Sequence, residues 1–237
     1  MPNAATNSIA ENLARVRARI DRAAQRVGRR TDEITLIAVS KTFSAEAIRA
    51  AYDAGLRHFG ENRIQEMQAK HPQLAGLEAT WHFIGHLQSN KVRPAVELFD
   101  RIDAVDSVPL ARKLDVAASE HGKRLPVLVE VHLGGEASKS GAEPGGLQGL
   151  AEAIDLLPSL DLRGLMAVPP YSEDPERVRP YFRQLRELRD ELSRRLGRAF
   201  STLSMGMSHD FEVAIEEGAT EIRVGTALFG ARPRKAE

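Results

Sequence analysis

The chain has 237 residues, 42% of them hydrophobic and 28% charged, with thirty-three basic residues against thirty-three acidic ones and no cysteine. The length suits one α/β barrel better than two ordinary domains, and the charge balance argues against nucleic acid or an anionic membrane as the main partner. Without cysteine there are no disulfides, thiolate metal sites or cysteine nucleophiles; with no signal core and no apolar run near the roughly 20 residues of a membrane span, the default location is the cytoplasm.

Residues 9–27 read as an opening amphipathic helix, with Ile9, Leu13, Val16, Ile20 and Val27 on one stripe. The first strand is predicted at 34–40, after which Ser44 caps a helix closed by Gly55. Further strands are predicted at 57–60, 80–85, 101–105, 125–133, 162–168, 202–205 and 221–224. Between them lie helical patterns: one through Lys70, one from about Ser89, one opened by Ser107 and ended by Gly122, one reaching Leu157, one over about 175–196, and one from Ser208 to Glu217. A Gly-rich segment at 134–141 reads as a long loop more readily than as a lid, and the chain closes with a short turn and a polar tail. No composition break marks a linker. Residues 1–237 therefore read as a single domain, a (β/α)8 TIM barrel with an extra N-terminal helix, an open doubly wound sheet being the fallback.

In such a barrel the chemistry gathers at the C-terminal ends of the strands. Of the seven lysines, only Lys41 ends an unbroken apolar run, Ile34-Thr-Leu-Ile-Ala-Val-Ser40. Two readings are open: a lysine snorkelling to solvent, or a partly desolvated amine able to attack an aldehyde and form a Schiff base. Leu203-Ser-Met-Gly-Met-Ser-His-Asp210 places a glycine and a serine where a strand becomes a helix, a setting that suits an anion such as phosphate. A second glycine-bearing turn follows in Ile222-Arg-Val-Gly-Thr-Ala-Leu-Phe-Gly230, and phosphate sites built from the last two strand loops recur in barrels. Alternation aims Arg223 into the barrel, either toward a ligand or into an internal ion pair with a carboxylate such as Glu130.

An aldehyde-trapping lysine, phosphate loops and an inward arginine together describe a pyridoxal phosphate pocket. Ala38-Val-Ser-Lys-Thr42, Phe59-Gly-Glu-Asn62, Trp81-His-Phe-Ile-Gly-His-Leu-Gln-Ser-Asn-Lys91, Leu203-Ser-Met-Gly-Met-Ser208 and Arg223-Val-Gly-Thr-Ala-Leu-Phe-Gly230 resemble the pyridoxal phosphate homeostasis proteins over nearly the whole chain. That family is similar in turn to the barrel domain of alanine racemases. The resemblance implies that Lys41 is the Schiff-base lysine and that Arg223 approaches the pyridine nitrogen. It implies that Ser208, Gly225 and Thr226 hold the phosphate, with Ser204 as a second hydroxyl, while Asn62, Ile84 and Met166 line the cofactor's faces. Arg63 stands where many relatives carry an aromatic, so no ring contact is expected from it.

The resemblance further implies a monomer that carries the cofactor without significant catalysis, with apo-enzymes that use pyridoxal phosphate as recipients. An arginine beside the ring nitrogen has donors only and favours the unprotonated ring, a poorer electron sink. The alternative is a single-domain racemase. Against it, no second domain follows the last strand and no tyrosine falls on a strand end, since Tyr52, Tyr171 and Tyr181 sit in helical or loop segments. Other motifs carry less. His82 and His86 lie four apart on a strand-to-loop segment, a spacing that does not converge on zinc. Gly206-Met-Ser-His lacks the second glycine of a nucleophile elbow. The arginines at 183, 186, 189, 194 and 195 alternate with acids as on a solvated helix face.

Overall fold

The computed structural model describes residues 4–134 and 140–231; the centre of the Gly-rich segment, 135–139, and the polar tail lie outside the described residues. Eight parallel strands pair in chain order and close on themselves: β1 (Thr35–Val39), β2 (His58–Glu61), β3 (Thr80–Phe83), β4 (Arg101–Val105), β5 (Leu125–Glu130), β6 (Leu160–Met166), β7 (Thr202–Met207) and β8 (Glu221–Val224). Helices α2 (Ala45–Asp53), α3 (Ile64–Lys70), α4 (Val92–Leu98), α5 (Val108–Glu120), α6 (Leu147–Asp155), α7 (Arg179–Leu196), α8 (Phe211–Glu216) and α9 (Thr226–Phe229) follow the strands in turn, and α1 (Ala4–Arg26) precedes them. Ser44 caps α2 as expected, its Oγ accepting from Ala47 N, whereas Ser107 stands before α5 without a side-chain cap bond. No helix among the described residues is long and apolar enough to cross a membrane.

Alternation along each strand separates two interiors. Ala38 and Phe59 join the large apolar core between sheet and helices. Ile37 turns the other way, into the barrel, where it and Ile84 approach Gly60. On α1 the buried stripe of Ile9, Leu13, Val16 and Ile20 packs against α2, α8 and α9. Val27, expected on that stripe, instead lies past the helix end and is exposed, because Gly28 adopts a left-handed conformation (φ +67°) and turns the chain away.

The inside of the barrel is not filled by the branched aliphatic layers common to the fold. Arg101 donates to both carboxylate oxygens of Glu221, at 2.6 and 2.8 Å, and to Asp103 at 2.5 Å. His82 Nδ1 lies 3.0 Å from Asp103 Oδ2, and His58 Nδ1 lies 3.1 Å from His82 Nε2. Burial acts to raise the Asp103 carboxyl, yet the guanidinium of Arg101 and the ring of His82 together hold it below the usual carboxylate range. Burial wins at Glu221, which is pushed up despite Arg101. His82, Asp103 and Glu221 converge closely enough to suit a cation, and Arg101 supplies the positive charge there itself. Ala104, Leu128 and Met166 form a small apolar cluster in the same interior.

Candidate functional site

Beyond β1 the chain makes a tight turn in which Phe43 N donates to Ser40 O at 3.1 Å. Lys41 and Thr42 are its central residues. Lys41 continues the inward face of Ile37 and Val39, and it lines a cavity of about 350 Å³ at the C-terminal mouth of the barrel. Thr42 has φ +71°, a left-handed conformation that β-branched residues rarely adopt. Its N–H donates to Glu66 Oε2 at 3.0 Å.

Arg223, on the inward face of β8, is buried at the back of the cavity. It donates through Nη1 to Ser204 Oγ and through Nη2 to Ala167 O, both at 2.8 Å. Glu130, the ion-pair partner weighed from the sequence, accepts instead from Ser140 Oγ at 3.2 Å. Burial pulls the Arg223 guanidinium below its ordinary pKa, while Asp103, Glu130, Glu221 and Asp210 attract it from a distance. Such a group still carries its charge at any physiological pH.

The adjoining wall comes from β7 and its turn. Gly206 has φ +91°, and a Cβ there would lie 2.6 Å from the Ala214 Cβ and 3.0 Å from Phe211 Cα, so only glycine lets α8 pack this closely. Asp210 then closes the turn, accepting from Met207 N at 2.6 Å and donating its own N–H to Met207 O. Burial pushes the Asp210 carboxyl up, against the pull of that N–H and of Arg223. This turn corrects the expected helix start: α8 begins at Phe211, and Ser208 does not cap it. Ser208 Oγ faces the next loop, accepting from Gly225 N at 3.2 Å and Ala227 N at 3.3 Å.

Six of the nine residues singled out from the sequence, Lys41, Ile84, Ser208, Arg223, Gly225 and Thr226, line this one cavity. The other three do not. Ser204 pairs in register with Met166 and Glu221 and is fully buried beneath Arg223, so its hydroxyl holds the guanidinium and does not reach the Ser208–Gly225 corner. Met166 belongs to the apolar cluster inside the barrel. Asn62 packs against Gly85, whose absent side chain makes room for it, and lines a separate hollow of about 530 Å³ with Arg63, His86 and Lys91. That hollow and another of about 430 Å³ between α4 and α5 are larger, but neither contains an inward strand-end lysine beside a glycine and hydroxyl corner.

Val39, Val168 and Met207 complete the cavity's apolar walls, and Tyr171 and His209 stand at its mouth with ring centroids 5.5 Å apart. Tyr171 sits in a loop, as read from the sequence, and that loop after β6 carries it to the cavity. The signal in the sequence is Pro169-Pro170, just beyond Ala167 and Val168 at the end of β6, which keeps the chain from continuing as a strand and leaves the next residue on the C-terminal face. His82 and His86 are far apart in role, the first buried against Asp103 and the second exposed near Asp106 at 3.3 Å. A nucleophilic amine, apolar walls, a fixed guanidinium and a corner of hydroxyl and backbone N–H donors suit a flat carbonyl compound bearing an anionic tail.

The family model described as the alanine racemase N-terminal domain matches residues 11–233. The chain is 50% identical over 222 residues to the pyridoxal phosphate homeostasis protein of Aquifex aeolicus, covering 94% of this chain and 97% of that one. To the protein of the same name from Escherichia coli it is 46% identical over 242 residues, covering 95% and 97%. Among solved structures, PipY of Synechococcus elongatus with pyridoxal phosphate bound is similar at a TM-score of 0.84 and 42% identity, covering 94% of this chain and all of that one. An alanine racemase of Clostridium difficile shares the fold alone, at a TM-score of 0.74 and 15% identity, with the match covering 97% of this chain and 58% of the racemase.

Proposed function

Because the chain belongs to the pyridoxal phosphate homeostasis protein family, we propose that it holds pyridoxal phosphate in the Lys41 cavity and serves vitamin B6 homeostasis in the cytoplasm without significant catalysis. The observation that carries this reading is the convergence of Lys41, Arg223 and the Ser208–Gly225–Thr226 corner on one cavity from β1, β7 and β8. Lys41 would hold the cofactor through its carbonyl, as a Schiff base formed with loss of water. The hydroxyls of Ser208 and Thr226 and the Gly225 backbone hold the phosphate, and Ile84 packs against the ring. When bound, the cofactor supplies an electrophilic carbonyl and an electron-withdrawing ring. Arg223 offers the ring nitrogen only N–H donors, which withholds the proton that would make the ring a strong electron sink. The protein acts as one unit and as a monomer, with apo-enzymes that use the cofactor as recipients.

Each hydroxyl bonded to a phosphate dianion contributes roughly 1.5–3 kcal/mol. Ser208→Ala and Thr226→Val should therefore each weaken pyridoxal phosphate binding on the order of tenfold or more, while pyridoxal, which lacks the phosphate, binds almost as before. Fluorescence titration with both compounds checks this. Equal losses for the two would assign these hydroxyls to structure.

Tyr171 favours the second reading, a compact racemase, since it lines the mouth of the same cavity. The two readings separate on chiral chromatography of L-alanine incubated with the loaded protein. No enzyme-like racemisation is expected; turnover that vanishes in both Lys41→Ala and Tyr171→Phe would establish the racemase.

A further inference from the structure

We infer that α3 and the last residue of β2 form a clamp that positions Lys41, with Glu61, Glu66 and Lys70 as positioning residues. The inference rests on Lys41 being the residue that captures the carbonyl.

The clamp lies behind the strand, on the face opposite the cavity. Ser40 is fully buried, and its Oγ donates to Glu61 Oε1 at 2.7 Å. Lys70 Nζ donates to the same carboxylate oxygen at 2.9 Å and to Ser40 O at 3.2 Å. Ser40 N donates in turn to Gly60 O at 3.0 Å. The residue before Lys41 is thus held through its N–H, its carbonyl and its side chain. On the other flank Thr42 N donates to Glu66 Oε2, and that same oxygen lies 3.9 Å from Lys70 Nζ. One network therefore holds both neighbours of Lys41.

This arrangement is a poor way to gain stability alone. Glu61 is fully buried, and its second oxygen has no hydrogen-bond partner among the described residues. Burial pushes its carboxyl up even against Lys70 and Ser40. A buried ion pair that leaves a carboxylate oxygen unmet is commonly no better than an apolar pair of the same size. The left-handed Thr42 adds local backbone strain. What these costs secure is geometry. With Ser40 and Thr42 fixed and the turn closed by Phe43, the Cα–Cβ bond of Lys41 has one direction to take, into the mouth of the barrel.

The test compares Lys70→Met, Lys70→Arg and Glu66→Ala with the parent chain. Stopped-flow absorbance gives the rate of carbonyl capture from pyridoxal phosphate, and borohydride trapping with peptide mapping gives the labelled lysine. Titration with pyridoxine phosphate, which has the phosphate and ring but no carbonyl, gives binding without capture. Lys70→Met and Glu66→Ala should slow capture on the order of tenfold or more, since misplacing a reacting group by about 1 Å can cost 10²-fold. Pyridoxine phosphate affinity should stay within about twofold, and Lys70→Arg should recover part of the rate. Glu66→Ala leaves the buried pair in place and serves if Lys70→Met fails to fold. Parent-like capture in a folded Lys70→Met or Glu66→Ala protein, with the parent labelled on Lys41, would overturn the clamp alone. A parent chain labelled on another lysine, or on none, would overturn the functional reading and the clamp with it.

Discussion

Lys41→Ala should leave a folded protein that no longer retains pyridoxal phosphate covalently. Borohydride treatment should add no cofactor mass to any peptide, and the visible absorption of the loaded protein should be lost. The Lys41 side chain projects into the cavity and contributes nothing to the helix-facing core, so the melting temperature should change little. Residual binding should persist through the Ser208–Gly225–Thr226 corner, which does not depend on the amine. That residual binding should be far weaker and should no longer distinguish pyridoxal phosphate from pyridoxine phosphate. Cofactor fixed to Lys70 or Lys91 in the parent chain would sink the assignment of Lys41.

Arg101→Met should cost about 3–5 kcal/mol, because it leaves Asp103 and Glu221 buried without their shared cation. For a domain of this size each kcal/mol is worth about 2–4 °C, so a melting temperature lower by roughly 6–20 °C is expected in circular dichroism. Combining Arg101→Met with Asp103→Asn and Glu221→Gln should return a large part of the loss, since the uncompensated charges go with it. A single Arg101→Met variant that melts with the parent would show that the ionic layer is not what holds the barrel interior together.

The barrel itself was legible because its strands are short apolar runs ending in glycine, serine or charge, as in the stretch before Lys41 and in Leu125–Glu130. Arg223 was legible from simple alternation, and its two apolar neighbours do face the helices. Depth was not legible. Strand β7 runs to Met207, two residues past its expected end, which sinks Ser204 a layer below the mouth, level with Met166 and Glu221. Period-two reasoning gives the face of a residue but not its height in the barrel. The sequence pattern points to Ser208 at the start of a helix, whereas its hydroxyl meets the N–H groups of Gly225 and Ala227 and not the start of α8. Tyr171 reads as a loop residue, and a loop residue has no periodicity from which to place it at the cavity. The Glu61–Lys70 pair was equally hidden, as nothing local in the sequence says that a lysine at the end of α3 turns back under β1.

Strand β8 carries two charges of opposite sign two residues apart, Glu221 bound to Arg101 and Arg223 bound to Ser204. A slip of β8 by one residue against β1 or β7 would turn Ile222 and Val224 toward the polar interior and drive both charges into the apolar layer under the helices. Closing the barrel at the wrong register is thus penalised twice on one four-residue strand. The seam where the last strand meets the first is where a cyclic sheet has least help from chain connectivity, and there the sequence marks the correct alignment in ink that cannot be misread: minus, apolar, plus, apolar.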